Sequence, residues 1–318
     1  MEHVYIVRSV AEGYGFSSYM VQAILGIYKT ARDGGRMAIN FCPPHSHIDH
    51  AEGINVWDYY WEQPFGISVA EVYDKASKGE ITMSDVHYMD TPELNNNWQE
   101  TINRYTIPIQ TRDLTAPLIA PRIKLWPHYQ KIIDDFYEEN FKDHTVLGVH
   151  RRGGVWSMHG DTIYSDEAFC SHVDKYQEEF DKIYLATNET HAFDYFCKRY
   201  GSKVICQPDV YKVPRPGAAG ESYLLGWPAV YGYNVENIHA GIPRKLLGWQ
   251  IVFDYYMLSH TDLFLRTFSG LSFVVIFLNP TLPYIHLNEE LHPELPPCGA
   301  DWKVVKRAVK SKKESFKL

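Results

Sequence analysis

The chain has 318 residues, 45% of them hydrophobic and 14% aromatic, which is enough to bury the cores of two α/β domains. Its formal net charge is −8, from 31 basic against 39 acidic side chains, and this argues against a nucleic-acid binder, normally a basic protein. Five cysteines (Cys42, Cys170, Cys197, Cys206, Cys298) are scattered without a C-x-x-C pair, so neither a zinc site nor a disulfide framework is indicated and a reduced, cytoplasmic setting is expected.

Met1 to Arg8 is strand-like, with no signal-peptide core. Val4 to Val7 form the first predicted strand. Gly13-Tyr14-Gly15-Phe16 follows, and Met20, Val21, Ile24, Leu25, Tyr28 and Ala31 then recur at helical spacing. Gly34-Gly35 stops that helix, and Met37 to Phe41 supply a second strand. The opening is thus βαβ, with glycines at its first turn. A lone G-x-G suits a tight turn into a helix as well as it suits a phosphate, and the turn is the preferred reading.

From Cys42 to about Pro121 the pattern loosens. Pro43 to His50 carries three histidines and an aspartate, but on a proline-led loop without a helical metal spacing, so a polar loop is expected. Trp57-Asp58-Tyr59-Tyr60-Trp61 is read as core packing ahead of an acceptor-pocket floor. Helices are predicted near Val69 to Ser77 and Tyr129 to Asn140.

The second half is more regular. Strands are predicted at Thr145–Val149, Lys182–Thr187, Lys203–Cys206, Leu263–Leu265 and Pro283–Leu287. Helices are predicted near Asp166–Phe180, His191–Tyr200, Pro243–Ser259 and through Phe273–Leu278, the last an apolar stretch too short to span a membrane. Gln207 to Gly241 reads as a functional loop. Such alternation implies α/β architecture with parallel, doubly wound sheets. The tail from Lys303 carries seven lysines and arginines against one glutamate and reads as a solvated helix or frayed end.

Three of these strands end in polar residues: His150 with Arg152, Asn188 with Glu189, and Thr267 with Ser269. In a doubly wound sheet such ends converge on one crevice. Arginine offers a planar fork to phosphate, and Ser269 with the amides of the following helix suits the same anion. If strand alternation persists, Arg151 faces away from Arg152. Asp254 interrupts an apolar helical stretch, where a carboxylate needs a partner. A structural ion pair and a bond to the N–H groups of a base both remain open.

Tyr137 to Phe141 followed by Leu147-Gly148-Val149-His150-Arg151-Arg152-Gly153 resembles the start of the nucleotide-sugar domain of the α1,6-fucosyltransferases, the rhizobial nodulation type in particular. Leu185-Ala186-Thr187-Asn188-Glu189 is similar to their L-A-T-D-D segment. Asp254 to Ser259 with Thr267-Phe268-Ser269-Gly270 is similar to their D-x-x-x-L-S and T-F-S-S pair. Gly13-Tyr14-Gly15-Phe16 with Gly35-Arg36 is similar to their G-x-G-F and G-R segments.

The resemblance implies a GT-B fold of two Rossmann-like domains whose parallel sheets face a central cleft. It implies an acceptor-side domain over residues 1–125, a nucleotide-sugar domain over 126–300 and a basic tail over 301–318. It further implies an inverting transferase moving a sugar from GDP-fucose to a glycan hydroxyl with no metal and no separate cofactor, while charge and hydropathy set the expectation of no nucleic-acid partner and no membrane span. His150 and Asp254 would hold the guanine and ribose region, and Arg152 and Ser269 the β-phosphate. Gly13, Gly15, Phe16, Asn188, Glu189, Thr267, Phe268 and Gly270 complete the implied binding set. Asp161, ahead of His159, is the candidate general base beside the catalytic Arg152, and no D-x-D occurs in the chain.

Three departures stand out. Gly154-Val155-Trp156 occupies the stretch where the family carries an acid, Asn188 replaces an aspartate, and Gly270 replaces a second serine. They leave open another donor, such as a UDP- or GDP-linked pentose or hexose, or a non-catalytic nucleotide- or glycan-binding module.

Overall fold

The structure is a computed structural model that describes residues 4–8, 16–41, 55–82, 86–89, 116–151, 165–187, 189–208, 244–267, 269–287 and 300–316. The chain divides into two compact units, residues 1–131 with 226–252 and residues 132–225 with 253–318.

In the first unit, β1 (Val4–Arg8) is flanked by β2 (Arg36–Asn40) and β3 (Val86–Met89), all parallel, in the order β2-β1-β3. Helix α1 (Phe16–Asp33) makes the crossover from β1 to β2. It stops because Gly34 takes a left-handed φ of 74°, which lets Gly35 N–H return to the Thr30 carbonyl at 3.0 Å in a Schellman closure. The short helix α2 (Trp57–Tyr60) puts Trp57 and Tyr60 into the interior at 0% and 1% exposure. The aromatic run is therefore core, as expected. Ser68 and Glu71 form a capping box at the start of α3 (Val69–Ser77).

The second unit holds a five-stranded parallel sheet. Its strands are β4 (Val146–His150), β5 (Lys182–Ala186), β6 (Val204–Ile205), β7 (Leu263–Arg266) and β8 (Tyr284–His286). Their order is β6-β5-β4-β7-β8, so the chain steps outward from β4 through β6 and returns on the other side at β7. The direction of winding reverses between β4 and β7, which makes that edge the topological switch point.

Helix α4 (Pro127–Asn140) precedes β4. The connections between strands carry α5 (Asp166–Val173), α6 (Thr190–Tyr200), α7 (Arg244–Ser259) and α8 (Gly270–Leu278). Leu147, Val149, Ile183, Leu185, Leu263 and Leu265 point to one sheet face and pack with Phe169 and Val173 of α5 and Phe196 of α6. On the opposite face the Tyr184 ring meets Phe136 edge-on at 6.2 Å, and Phe136 in turn meets Phe253 at 5.1 Å. Burial on both faces explains why these strands read as apolar runs.

Gly148 sits mid-strand between Tyr184 and Phe264, and a Cβ there would lie 2.7 Å from Thr261 Oγ1 and 2.9 Å from its Cγ2. Thr261 is 5% exposed and its hydroxyl donates to the Leu258 carbonyl at 2.8 Å, so it cannot swing aside without losing a buried bond. Gly148→Ala is expected to destabilise the chain by about 1–3 kcal/mol through overpacking. A thermal melt should show the loss, and Thr261→Ala in the same background should return part of it.

The basic C-terminal segment is a helix, one of the two states expected of it, and mostly exposed, but it docks on the fold rather than standing wholly in solvent. It forms helix α9 (Trp302–Ser315), capped by Asp301, and Val305 and Val309 join the sheet core. Its Lys312 lies 2.8 and 2.9 Å from the Asp262 carboxylate oxygens, and Lys313 lies 3.1 Å from Asp181. Both acids stand at the amino-terminal ends of strands and accept from the chain there: Asp262 from Val146 N–H and Asp181 from Thr145 N–H and hydroxyl. Lysines that read as solvent charge are thus spent on acids far away in sequence.

Partial burial alone would raise the Asp181 carboxyl, but the bonds from Thr145 and Lys313 outweigh it and hold the group below the usual carboxylate range. A carboxyl whose folded value is depressed adds stability above its unfolded value, about 3.9, and that stability is lost as pH falls through the folded value. Asp181→Asn is therefore expected to flatten the acid limb of the curve of Tm against pH. Acid limbs of equal slope for wild type and variant would contradict this.

Candidate functional site

At the switch point, β4 ends in His150 and β7 in Arg266, with α8 starting just beyond. His150 Nδ1 lies 3.1 Å from Ser272 Oγ and 3.3 Å from Ser269 Oγ, and the two hydroxyl oxygens are 2.9 Å apart. Ser269 is the N-cap of α8, and its Oγ accepts from Ser272 N–H at 3.0 Å. His150, Ser269 and Ser272 are 7%, 4% and 0% exposed. A histidine and two serines thus meet at the carboxyl edge of the sheet, beside a helix start whose first amides favour an anion.

Ser272 did not stand out in the sequence, although its spacing of three from Ser269 puts both hydroxyls on one helix face. Thr267 is buried between β7 and the cap, and Gly270 opens α8. Arg266 is fully buried, with the rings of Phe273 and Tyr284 centred 5.0 and 5.4 Å from its guanidinium carbon. A cation between two aromatic faces is favoured electrostatically.

Asp254 of α7 accepts a hydrogen bond of 2.6 Å from the Tyr184 hydroxyl. Complete burial, reinforced by the carboxylate, pushes that hydroxyl well above the usual tyrosine range, so it keeps its proton and donates. The partner that Asp254 requires is thus partly supplied by β5.

Arg151 turns to the other side of the sheet from His150, as strand alternation predicts. Its Nε and Nη2 each lie 2.8 Å from Asp166 Oδ1, and its Nη1 lies 3.3 Å from Glu189 Oε2. His191 Nε2 closes the group, 3.3 Å from Asp166 and 3.4 Å from Glu189. The guanidinium also stands 5.7 Å from the centre of the Phe169 ring. Glu189, one of the nucleotide-binding candidates, therefore faces Arg151 and His191. The network ties the end of β4 to the first residue of α5 and to the start of α6.

Phe16 belongs to the first unit, where its ring packs at 5.9 Å from Tyr60 and 6.1 Å from Trp61 and is 5% exposed. Gly13, Gly15, Arg152, His159, Asp161, Asn188 and Phe268 lie outside the described residues, as do the histidine loop at 43–50 and most of the loop at 207–241.

No helix among the described residues is long and apolar enough to cross a membrane. No family model and no curated protein matches the sequence. Solved structures match in fold. Fucosyltransferase NodZ from Bradyrhizobium aligns with a TM-score of 0.53 and 15% identity, over 91% of this chain and 97% of its own. NodZ α-1,6-fucosyltransferase co-crystallised with GDP gives 0.52 and 15%, over 90% and 95%. The same enzyme soaked with GDP-fucose gives 0.51 and 16%, over 90% and 95%. The chain therefore has a fucosyltransferase-like GT-B fold, with parallel strands in each of its two units.

Proposed function

We propose that the chain is an inverting glycosyltransferase that moves fucose from GDP-fucose to a glycan hydroxyl without a metal. The observation that carries this reading is the His150–Ser269–Ser272 cluster at the switch point, in a fold shared with a fucosyltransferase solved with GDP and with GDP-fucose. Ligands of open α/β sheets bind at such a point. The absence of a D-x-D motif from the sequence supports metal independence.

In this reading the domain at 126–300, apart from the stretch at 226–252 that clusters with the first unit, takes the nucleotide and that at 1–125 the acceptor. His150 and Asp254 address the guanine and ribose region. Breaking the glycosyl–phosphate bond develops negative charge on the leaving β-phosphate, and a fixed guanidinium with helix amides stabilises it. Arg152 supplies the guanidinium, and Ser269 holds the first turn of α8 in place. Asp161 removes the proton from the acceptor hydroxyl as it attacks the anomeric carbon from the face opposite the phosphate, which inverts the centre.

Calorimetry with GDP, GDP-fucose, UDP and UDP-sugars, followed by a donor-hydrolysis and transfer assay, tests the reading. GDP binding with fucose release or transfer is expected. Preference for UDP, or turnover of a pentose or hexose donor only, would replace the donor, and nucleotide binding without turnover of any donor would make the chain a binding module. Arg152→Ala should weaken GDP binding by about 1.5–3 kcal/mol, the worth of a hydrogen bond to a charged group. Wild-type affinity in that variant would remove Arg152 from the phosphate.

A further inference from the structure

We infer that Tyr184 sets nucleobase discrimination by holding the Asp254 carboxylate in the orientation that accepts hydrogen bonds from the base. The inference rests on the function proposed above, which gives Asp254 the guanine and ribose region. Strand register pairs Gly148 with Tyr184 and His150 with Ala186. Side chains alternate along a strand, so Tyr184 shares a sheet face with His150 and stands two residues short of the end of β5. Ligands of open α/β sheets bind beyond that edge.

The phenol is held from its sides. Tyr184 is fully buried, and its ring meets Phe136 at 6.2 Å and Phe141 at 5.7 Å. From that fixed position its hydroxyl donates to Asp254 Oδ1 at 2.6 Å. Asp254 is only half-buried, whereas residues 252, 253 and 255–259 around it on α7 are buried. A strand residue locked in the core thus reaches the one residue in that run of the helix that is not itself closed off.

A carboxylate has about four acceptor sites, so one hydroxyl bond leaves capacity for more. Guanine presents two donors side by side, its ring N1–H and its exocyclic amino group. Adenine presents an unprotonated ring nitrogen at that edge, which a carboxylate repels. Both guanine bonds form only if the carboxylate plane is held, and the hydroxyl from β5 holds it. A phenol also suits the task electrically. Complete burial and the nearby carboxylate push its proton affinity well above the usual tyrosine range, so it stays a donor. It brings no positive charge, so the carboxylate keeps the full charge that strengthens its bonds to N–H groups. Tyr184 is a positioning residue: it acts on the base through Asp254.

The test is calorimetry of the full-length chain with GDP and with ADP. Wild type should prefer GDP; equal affinities would overturn the proposed function, and this inference with it, before any variant is made. Tyr184→Phe keeps the ring and removes only the donor. It should cut the preference for GDP by about 10-fold or more, the scale of a hydrogen bond to a charged group. Affinity for ADP should stay within about twofold, since the phosphates carry it. A hydroxyl that serves stability alone would lower Tm and leave the ratio of the two affinities unchanged, and that result overturns the inference. Asp254→Asn should lose the preference as well, and Tyr184→Phe/Asp254→Asn should lose no more, because both changes act on one contact. Losses that add would place the effect of the hydroxyl elsewhere and overturn it too. Fluorotyrosine introduced at position 184 covers the case in which Tyr184→Phe does not fold. Its 19F signal should move on addition of GDP and not of ADP; the same response to both nucleotides would sink the inference.

Discussion

Arg151→Met is expected to destabilise the second unit by about 3–5 kcal/mol, the range for removing one partner of a buried ion pair. Against a total stability of about 5–15 kcal/mol for a folded domain, that is a severe loss. The Arg151 side chain is 7% exposed and those of Asp166 and Glu189 are 13% and 12% exposed, so its removal leaves two carboxylates in a poorly solvated place without the cation that faces them both. Methionine keeps most of the volume and the contact with Phe169, which isolates the electrostatic part. Urea denaturation reads the effect. Arg151→Met/Asp166→Asn/Glu189→Gln should recover part of the stability, because the penalty comes from uncompensated charge and not from the missing attraction. A single variant as stable as wild type would mean that the network carries no weight.

That network also shows what the sequence makes legible and what it hides. The strands of the second unit were readable because burial on both faces leaves apolar runs, and the polar residues that end them mark the carboxyl edge. Alternation at the strand end separated Arg151 from His150. The partners of each were hidden: Asp166, Glu189 and His191 converge on Arg151 only once α5 and α6 are folded against the sheet. Ser272 lies within an apolar helix, where one small hydroxyl carries no pattern of its own.

Elsewhere tertiary contacts overrode local pattern. The helix predicted to run from Asp166 to Phe180 ends at Val173 and gives way to a 3-10 turn at Gln177–Glu179. There Tyr176 packs edge-on to Trp302 of α9 at 4.8 Å, a partner more than a hundred residues away. Strand β3 escaped notice because four residues with a histidine and a tyrosine among them carry almost no period; its pairing with β1 makes it a strand. The C-terminal segment read as solvated because its charges are visible in one dimension, whereas Asp181 and Asp262 become its neighbours only in three.

Asp161→Asn is expected to lower the rate of sugar transfer by about 10²–10⁴-fold, the usual contribution of a general base, while leaving the affinity for GDP within about twofold of wild type by the separation of binding from chemistry. Asparagine has nearly the same shape and still accepts a hydrogen bond, but it cannot take up a proton. The donor side should not notice the change, since the proposed reading gives the β-phosphate to Arg152 and the α8 amides. The contrast with Arg152→Ala gives the prediction its force: that variant weakens nucleotide binding and slows transfer together, whereas this one slows transfer alone. His159→Gln serves as the control and should retain most of the transfer rate. If His159→Gln loses transfer and Asp161→Asn keeps it, the base is the histidine; if both keep it, the proton leaves by another residue and the assignment of this loop to the chemistry is wrong.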